Sequence, residues 1–287
     1  MPSFHVIGRK KRTIPFLPSV FFFFFVLVFL TSCVNHLREA KSSYAQGQKY
    51  ARSFKQEKAI SSFRRALEEA RYEAEKNPSA QAFLVKGLAE LELGLWREAE
   101  ESFRLAFAHG FEKGEEWAQQ LSLLGLASSF EESGLEDAAF KIYSHLLLKS
   151  KFRPILLAVS QKYTDMAVKR ALEKEGKERQ KALTQILATI EKLVRQDMSN
   201  GFYHYLLSQI LGQLSRFRQS FEEAVMAREL GLPTEKIFRD NDLQIVFCYR
   251  MLKENLPSEE WEKFSSSYIR WTERWKWKGP ETPGWKR

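Results

Sequence analysis

The stretch FLVKGLAELELGLWREAEESFRLA, residues 83–106, determines how this chain folds. Gly87 lies where a first helix must allow a second helix to approach closely, and Gly94 lies at the break between them, where glycine permits a left-handed helix end. Apolar residues then recur at steps of four and three residues along one face of the second helix: Ala99, Phe103 and Ala106. The stretch therefore predicts two packed antiparallel helices.

The same pattern recurs on either side of this stretch at a regular interval of about 40 residues. The preceding copy places the equivalent residues at Gly47, Ala59, Phe63 and Ala66. The following copy places them at Ala127, Gly134, Ala139, Tyr143 and Leu146. Three copies in register predict a stack of similar hairpins that cover one another's apolar faces.

These hairpins resemble the tetratricopeptide repeat (TPR), in which small and large residues are shared between two paired helices. The resemblance is carried by the small residues Gly87, Ala99 and Ala106 and by the bulky residues Phe83, Trp96 and Phe103. The family repeats about every 34 residues, so each unit here has about six additional residues. The resemblance implies an all-α, right-handed superhelical solenoid of TPR-like helical hairpins with a C-terminal capping helix.

Breaks between the apolar segments divide the rest of the chain. The expected segments are three TPR-like hairpins over 40–154, an irregular helical hairpin over 155–200, a fourth TPR-like hairpin over 201–233, C-terminal capping helices over 234–275 and a flexible Trp/Lys-rich tail over 276–287. Pro154 is expected to stop the third hairpin, and Ser258 is expected to be the N-cap of the last helix.

The C-terminal part is rich in apolar and aromatic residues. The run 243–252 is apolar nearly all round and predicts a buried helix, with Cys248 as a packed, unreactive thiol. The last helix has aromatic residues at three- and four-residue steps on one face, which suits a helix that closes the open end of a stack: Trp261, Phe264, Tyr268, Trp271 and Trp275. The tryptophans and cations of the tail suit a lipid headgroup surface or a partner's pocket.

The segment 1–32 has the three parts of a bacterial signal peptide. A basic cluster occupies 9–12, an apolar run occupies 14–30, and the run ends in the sequence LTSC at 30–33. This ending resembles the lipobox of bacterial lipoproteins, which implies that Cys33 carries a diacylglycerol on its thiol and an acyl chain on its new amino group. The residues 33–39 are then a lipidated N-terminal tether.

An uncleaved membrane helix with an incidental cysteine is the alternative for this segment. The apolar run 14–30 is at the short limit for a membrane span, and Pro15 and Pro18 interrupt its start. In either case the basic cluster predicts that the rest of the chain lies on the non-cytoplasmic side of a membrane, which is the periplasmic face. Val34 follows Cys33, and resemblance to enterobacterial lipoprotein sorting then favours the outer membrane over the inner one.

Composition argues against several classes of function. Removal of the four basic residues at 9–12 lowers the formal charge from +9 to +5, and no basic face with groove-reading elements is found, so nucleic acid is not an expected partner. None of the five histidines has metal-ligand spacing, and no nucleophile elbow, phosphate loop or dinucleotide fingerprint is present. We therefore expect no enzyme activity, no metal and no cofactor beyond the acyl chains on Cys33.

A binding surface is the remaining expectation, because in the TPR family the first helix of each hairpin lines the concave face. The lining positions carried over from the family are Tyr44, Gln48, Arg52, Leu84, Leu88, Leu91, Glu92, Leu124, Ser128, Glu131, Glu132, Phe202, Tyr205 and Gln209. A groove that mixes leucine, tyrosine and glutamate favours an amphipathic helix or an extended peptide with some positive charge. The sequence leaves self-association of the chain open.

Together these observations predict a membrane-anchored periplasmic scaffold that binds protein partners in the cell envelope. One alternative is an oligomeric accessory lipoprotein of a ligand-transport system that partners a solute-binding protein and a permease. Another is an envelope hydrolase or its activator, which requires a constellation of buried polar groups in the groove.

Overall fold

The structure, a computed structural model, describes residues 35–277. Within this range it contains twelve α-helices and no β-strand, which confirms the all-α class. The helices are α1 (Asn35–Arg52), α2 (Gln56–Lys76), α3 (Ala80–Glu92), α4 (Trp96–His109), α5 (Glu116–Glu132), α6 (Glu136–Lys149), α7 (Arg153–Leu172), α8 (Gly176–Gln196), α9 (Gly201–Gln213), α10 (Phe217–Leu230), α11 (Glu235–Asn255) and α12 (Ser258–Arg274).

The helices from α1 to α10 pair consecutively into five hairpins, each made of an odd-numbered first helix and an even-numbered second helix. The helices α11 and α12 form a sixth hairpin through aromatic contacts of Tyr249 with Trp261 and Tyr268. The second helices begin at evenly spaced positions: Gln56, Trp96, Glu136, Gly176, Phe217 and Ser258. The first four starts keep the interval found in the sequence, and each of the last two falls a single position later than that interval requires. The repeat is therefore regular along the whole described range.

This regularity corrects the expected segments. The stretch 155–200 is not irregular, because α7 and α8 form a hairpin in register with the first three. Its turn lacks the glycine that stands at Gly94 and Gly134, so the sequence pattern weakens there although the spacing does not. The hairpin that begins at Gly201 is consequently the fifth, and the helices expected to be separate caps form a sixth hairpin.

Three local expectations are also corrected by the helix bounds. Pro154 lies in the first turn of α7, where its missing N–H costs nothing, and so it begins a helix instead of ending one. Pro257 is the residue at the N-cap position of α12, and Ser258 is already helical. The tether expected over 33–39 is partly helical, since α1 begins at Asn35.

The first and second helices form two layers. Each first helix packs against the first helix of the next hairpin, from α1 to α11, whereas no two second helices of the described range pack against each other to a comparable extent. The layer whose members touch lies on the inside of a curved stack, and the splayed layer lies on the outside. The first helices therefore form the concave face.

The core of the second hairpin is organised by one aromatic ring. Phe103 of α4 is fully buried, and its ring lies between Gly87 of α3 and Gly125 of α5. A Cβ atom built on Gly87 would be 2.9 Å from the ring, and one built on Gly125 would be 2.3 Å from it. The glycines therefore allow the close approach that the sequence predicts at Gly87, and the same ring joins the second hairpin to the third.

The first hairpin repeats this arrangement on a smaller scale. Phe63 of α2 is buried, and a Cβ atom built on Gly47 of α1 would be 2.6 Å from its ring. Tyr44 of α1 packs on the same ring at a centroid distance of 5.6 Å. Large residues of the second helices thus fit against small residues of the first helices in successive hairpins.

Aromatic side chains attach the last helix. Phe264 of α12 packs on Phe221 with ring centroids 4.8 Å apart, and Tyr268 packs on Tyr249 at 4.1 Å. Because the other side of α12 is mainly polar, this helix closes the stack as expected. The run 243–252 departs from expectation, since α11 buries Cys248 and Leu252 but leaves Leu243 66% exposed.

The first testable prediction concerns the seat of Phe103. Substitution Gly125→Ala should lower the free energy of unfolding by about 1–3 kcal/mol, because a ring pushed away from Gly125 moves into Gly87. Urea unfolding followed by circular dichroism measures the loss. The double variant with Phe103→Leu provides the control, since a smaller side chain should make Gly125→Ala nearly neutral. An equally stable Gly125→Ala single variant would contradict this packing.

Candidate functional site

The concave face carries side chains that join one first helix to the next. Near the N-terminal end, the Gln48 amide of α1 donates a hydrogen bond of 2.5 Å to Glu92 Oε1 of α3. Farther along, Lys162 Nζ of α7 lies 2.8 Å from Glu131 Oε2 of α5. These links fix the positions of two carboxylates on the inner surface, one near the end of the array and one near its middle.

Glu92 is held by two residues of α1 that are themselves buried. Gln48 also donates to the Tyr44 hydroxyl at 2.9 Å, and that hydroxyl lies 3.4 Å from Glu92 Oε1. Burial, together with the nearby Glu92 charge, raises the pKa of Tyr44 well above its ordinary value, so the phenol stays protonated. A second link nearby runs from Lys41 to Gln81 and from Gln81 to Glu115.

Glu131 is held from two sides. The buried Tyr143 hydroxyl of α6 donates to Glu131 Oε2 at 2.8 Å, and Lys162 reaches the same atom. The adjacent Glu132 is more weakly stabilised as an anion: burial raises its pKa, Lys162 lowers it, Glu131 raises it, and the net shift is upward. The pair presents one fixed carboxylate beside one that takes up a proton more readily than an ordinary glutamate.

The structure separates the predicted lining residues into two groups. Most are buried between the helices and are not available to a partner: Tyr44, Gln48, Leu84, Leu88, Leu124, Ser128, Phe202 and Tyr205. This is a correction, with a physical reason: the first helices of these long hairpins lie close enough to seal such positions against their neighbours. The positions that keep accessible surface are Arg52, Leu91, Glu92, Glu131, Glu132 and Gln209.

Helix α7 also contributes to the concave face, which the sequence pattern did not predict. Gln161, Lys162 and Asp165 lie on the helix next to Glu131, and the Gln161 amide donates to Asp165 Oδ1 at 2.8 Å. These residues were overlooked because 155–200 was expected to be irregular. Extending the repeat interval from Ala127 to Ala167, which is also buried, would have identified α7 as the first helix of a hairpin.

The groups capable of covalent or metal chemistry are few in the described range. No group of three or more His, Cys, Asp or Glu residues between 35 and 277 is placed to hold a metal ion. Cys248 is buried, and burial raises the pKa of its thiol to about 11 although hydrogen bonds with Ser220 and Gln244 lower it, so the reactive thiolate is scarce at neutral pH. Cys33 and the tail beyond Trp277 lie outside the described residues.

Hydrogen bonding across the concave face suits recognition of a peptide. The accessible carboxylates of Glu92 and Glu131 are each anchored by hydrogen bonds to protein groups, and carboxylate oxygens have further lone pairs for donors of a partner. Between residues 35 and 277, none of the helices combines the length and the apolar composition of a membrane span.

One histidine outside the concave face has a defined protonation state. His204 Nδ1 lies 2.6 Å from a Glu223 carboxylate oxygen, and Nε2 lies 3.0 Å from the Met198 carbonyl oxygen. Both partners are acceptors, so the ring fits best when both nitrogens carry protons. Burial lowers the pKa of His204, but Glu223, the Met198 carbonyl and Asp197 raise it, and the net pKa lies above its ordinary value.

Comparisons with known proteins give a limited likeness. The chain matches no protein family model, and it matches no curated protein. Among solved structures it is similar to the TPR2AB domain of yeast Sti1 in its pHSP90 complex, with 12% sequence identity, 82% of this chain and 91% of that chain covered, and a TM-score of 0.33. The assignment of an array of helical hairpins therefore rests on the helix packing described above.

The second testable prediction is a pH dependence of stability that comes from His204. A pKa raised by folding stabilises the native state fully below the unfolded pKa of about 6.5, and this stabilisation is lost as pH rises through the folded value. The free energy of unfolding should therefore fall as pH rises above about 6.5. Urea unfolding of the parent and of His204→Gln across this range measures the difference, with the exposed His145→Gln as matched control. A parental slope retained in His204→Gln would contradict the assignment.

Proposed function

We propose that this chain is a membrane-anchored, TPR-like scaffold that binds protein partners on the concave face of its six hairpins. The observation that supports this most directly is the anchored carboxylate of Glu131, held by Tyr143 and Lys162 while part of its surface stays accessible. A carboxylate fixed in advance loses little conformational entropy when it binds, which favours a ligand that brings hydrogen-bond donors.

The partner is a peptide segment that is amphipathic or extended and carries some positive charge. Glu92, Glu131 and Glu132 provide acceptors along the inner surface, and the partly exposed Leu91 provides an apolar contact beside the first of them. This mode of binding needs no catalytic group, and we propose that the chain is not an enzyme.

Attachment to a membrane is the second part of the proposal. In it, Cys33 carries a diacylglycerol and an N-acyl chain, and the array faces the periplasm, with the outer membrane favoured over the inner one. Two or three acyl chains anchor a protein stably, because each buried methylene contributes about 0.8 kcal/mol. Anchoring raises the effective concentration towards other membrane-bound partners, so a weak groove suffices for recruitment.

The third testable prediction concerns the groove. Photoreactive benzoylphenylalanine in place of Gln161 or Gln209, both partly exposed on the first helices, should capture the same partner in intact cells. Mass spectrometry of the crosslinked bands identifies it. The matched control is the same residue in place of Glu101, which is exposed on the second helix α4. Capture from Glu101 with none from the two groove positions would refute binding at the concave face.

The fourth testable prediction concerns the anchor. The variant Cys33→Ala should no longer incorporate labelled palmitate and should keep its unprocessed length. Any of it that stays in the membrane fraction should be held there by the uncleaved apolar run 14–30. Labelling, gel mobility and membrane fractionation are measured together, with Cys248→Ala as the control that should behave as the parent. Unchanged labelling and processing in Cys33→Ala would end the lipoprotein proposal.

A further inference from the structure

The turn between α1 and α2 contains a residue that is unusual for its backbone. Phe54 has a φ of +56°, in the left-handed region that favours glycine. The turn is closed by hydrogen bonds from the Phe54 amide to the Ala51 carbonyl at 3.1 Å and from the Lys55 amide to the Tyr50 carbonyl at 3.0 Å. This is the Schellman arrangement, which requires a left-handed residue at the position after the helix end.

Three other hairpins place a small residue at this position. The turn after α3 has the same two hydrogen bonds, made by the amides of Gly94 and Leu95, and Gly94 has a φ of +75°. The turn after α5 has them again, with Gly134 at a φ of +80°, and the turn after α9 uses Ser215 at +58°. The fold therefore favours glycine at position 54, and phenylalanine is a strained substitute that the turn itself does not require.

Phe54 gains nothing from burial in return for this strain. Its side chain is 82% exposed, the largest exposure of any large apolar residue in the described range. A strained backbone that carries an exposed aromatic ring indicates a role outside the packing of the monomer. The charged residues around the Phe54 ring indicate which kind of surface it contacts.

Cations surround this turn. Lys49 and Arg52 lie in the last turn of α1, Lys55 follows Phe54, and Lys58 Nζ lies over the Tyr50 ring at 5.9 Å from its centroid. Glu57 is the carboxylate of this segment, and it stands in the first turn of α2. The turn thus presents one exposed aromatic ring, called the Phe54 tip below, surrounded by four cationic side chains and one carboxylate.

The exposed face of α1 is also basic. Its exposed residues recur at steps of four and three: Arg38, Ser42, Gln46, Lys49 and Arg52. No carboxylate stands on this stripe, and Glu39, the acidic residue of α1, is paired with Arg65 of α2 at 2.6 Å. Among the described helices only α2 and α3 pack extensively against α1, so the stripe is uncovered at one end of the array.

We propose that the exposed stripe of α1 and the Phe54 tip form a docking surface for an anionic lipid bilayer, with the Phe54 ring inserted at the headgroup boundary. A basic surface with one protruding aromatic ring fits a fluid anionic interface, which accepts a single ring and attracts scattered cations without fixed geometry. A stable protein interface needs a larger apolar core, and every close neighbour of Phe54 in sequence is polar or charged apart from Ala51 and Tyr50.

This proposal goes beyond the scaffold function and does not require the modification of Cys33. Insertion of Phe54 and a lipid anchor at Cys33 would together fix the orientation of α1. The 18 residues of α1 are about 27 Å long, so attachment just before its first residue and insertion just after its last one make α1 lie flat on the bilayer. The remaining hairpins then stack away from the membrane, and the concave face stays open to the aqueous side.

The fifth testable prediction uses the full chain in vesicles of phosphatidylcholine with and without phosphatidylglycerol. Benzoylphenylalanine in place of Phe54 should give lipid adducts by mass spectrometry with the anionic vesicles, about tenfold more than in neutral vesicles or at high salt. The matched control carries the same residue in place of Leu135, an exposed apolar residue at the turn of the third hairpin, and should give few adducts. Equal adducts at both positions, no dependence on phosphatidylglycerol, or adducts to a second copy of the chain would overturn the proposal.

Two variants separate docking from folding. The triple variant Lys49→Gln, Lys55→Gln and Lys58→Gln should keep its melting temperature and lose most lipid adducts at position 54. The variant Phe54→Gly should melt at a higher temperature because the strain is relieved. With an aliphatic diazirine residue in place of Ser53, it should also give fewer lipid adducts than the same labelled chain that keeps Phe54, because the aromatic ring is gone. A lower melting temperature for Phe54→Gly, or undiminished adducts in either variant, would contradict the inference. Loss of the anchor in Cys33→Ala is a separate readout and leaves this one intact.

Discussion

The contact of Phe103 with Gly87 and Gly125 sets the distance between two successive hairpins. Any side chain on either glycine would occupy the volume of the ring, so three helices depend on the absence of two Cβ atoms. Phe63 against Gly47 has the same relation within the first hairpin. These contacts of aromatic rings with glycines therefore set the helix spacing within the first hairpin and position the second hairpin against the third.

The polar side chains of the concave face depend on that spacing. Gln48 reaches Glu92, and Lys162 reaches Glu131, only because successive first helices lie against each other. The same closeness explains why residues such as Leu84 and Tyr205 are buried. A family-based list of lining positions assumes shorter units, in which these positions face the groove, whereas here the accessible surface moves to Glu92, Glu131 and their neighbours.

The sequence predicts most of the fold because the physical requirements are local. Gly94 and Gly134 mark turns whose left-handed backbone needs glycine, and the predicted close approach at Gly87 is confirmed. The hairpin of α7 and α8 could not be predicted in the same way, since its turn uses no glycine at the equivalent position and its small residue, Ala167, is less distinctive. The anchored state of Glu131 was also beyond prediction, because it depends on Tyr143 and Lys162 from two other helices. The sequence did not single out Phe54, because one aromatic residue between polar neighbours is common. It becomes informative only when its φ and its exposure are known.

The arrangement in two unequal layers has a mechanical consequence. Neighbouring hairpins are joined through the first helices, and the second helices of the described range are not extensively packed on one another. In an array joined along one side, a small rotation between each pair of neighbouring hairpins adds up to a large change in curvature. Each single contact is then only slightly disturbed. For the binding mode proposed above, such a change of curvature would widen or narrow the concave face while Phe103 stays in contact with Gly87 and Gly125.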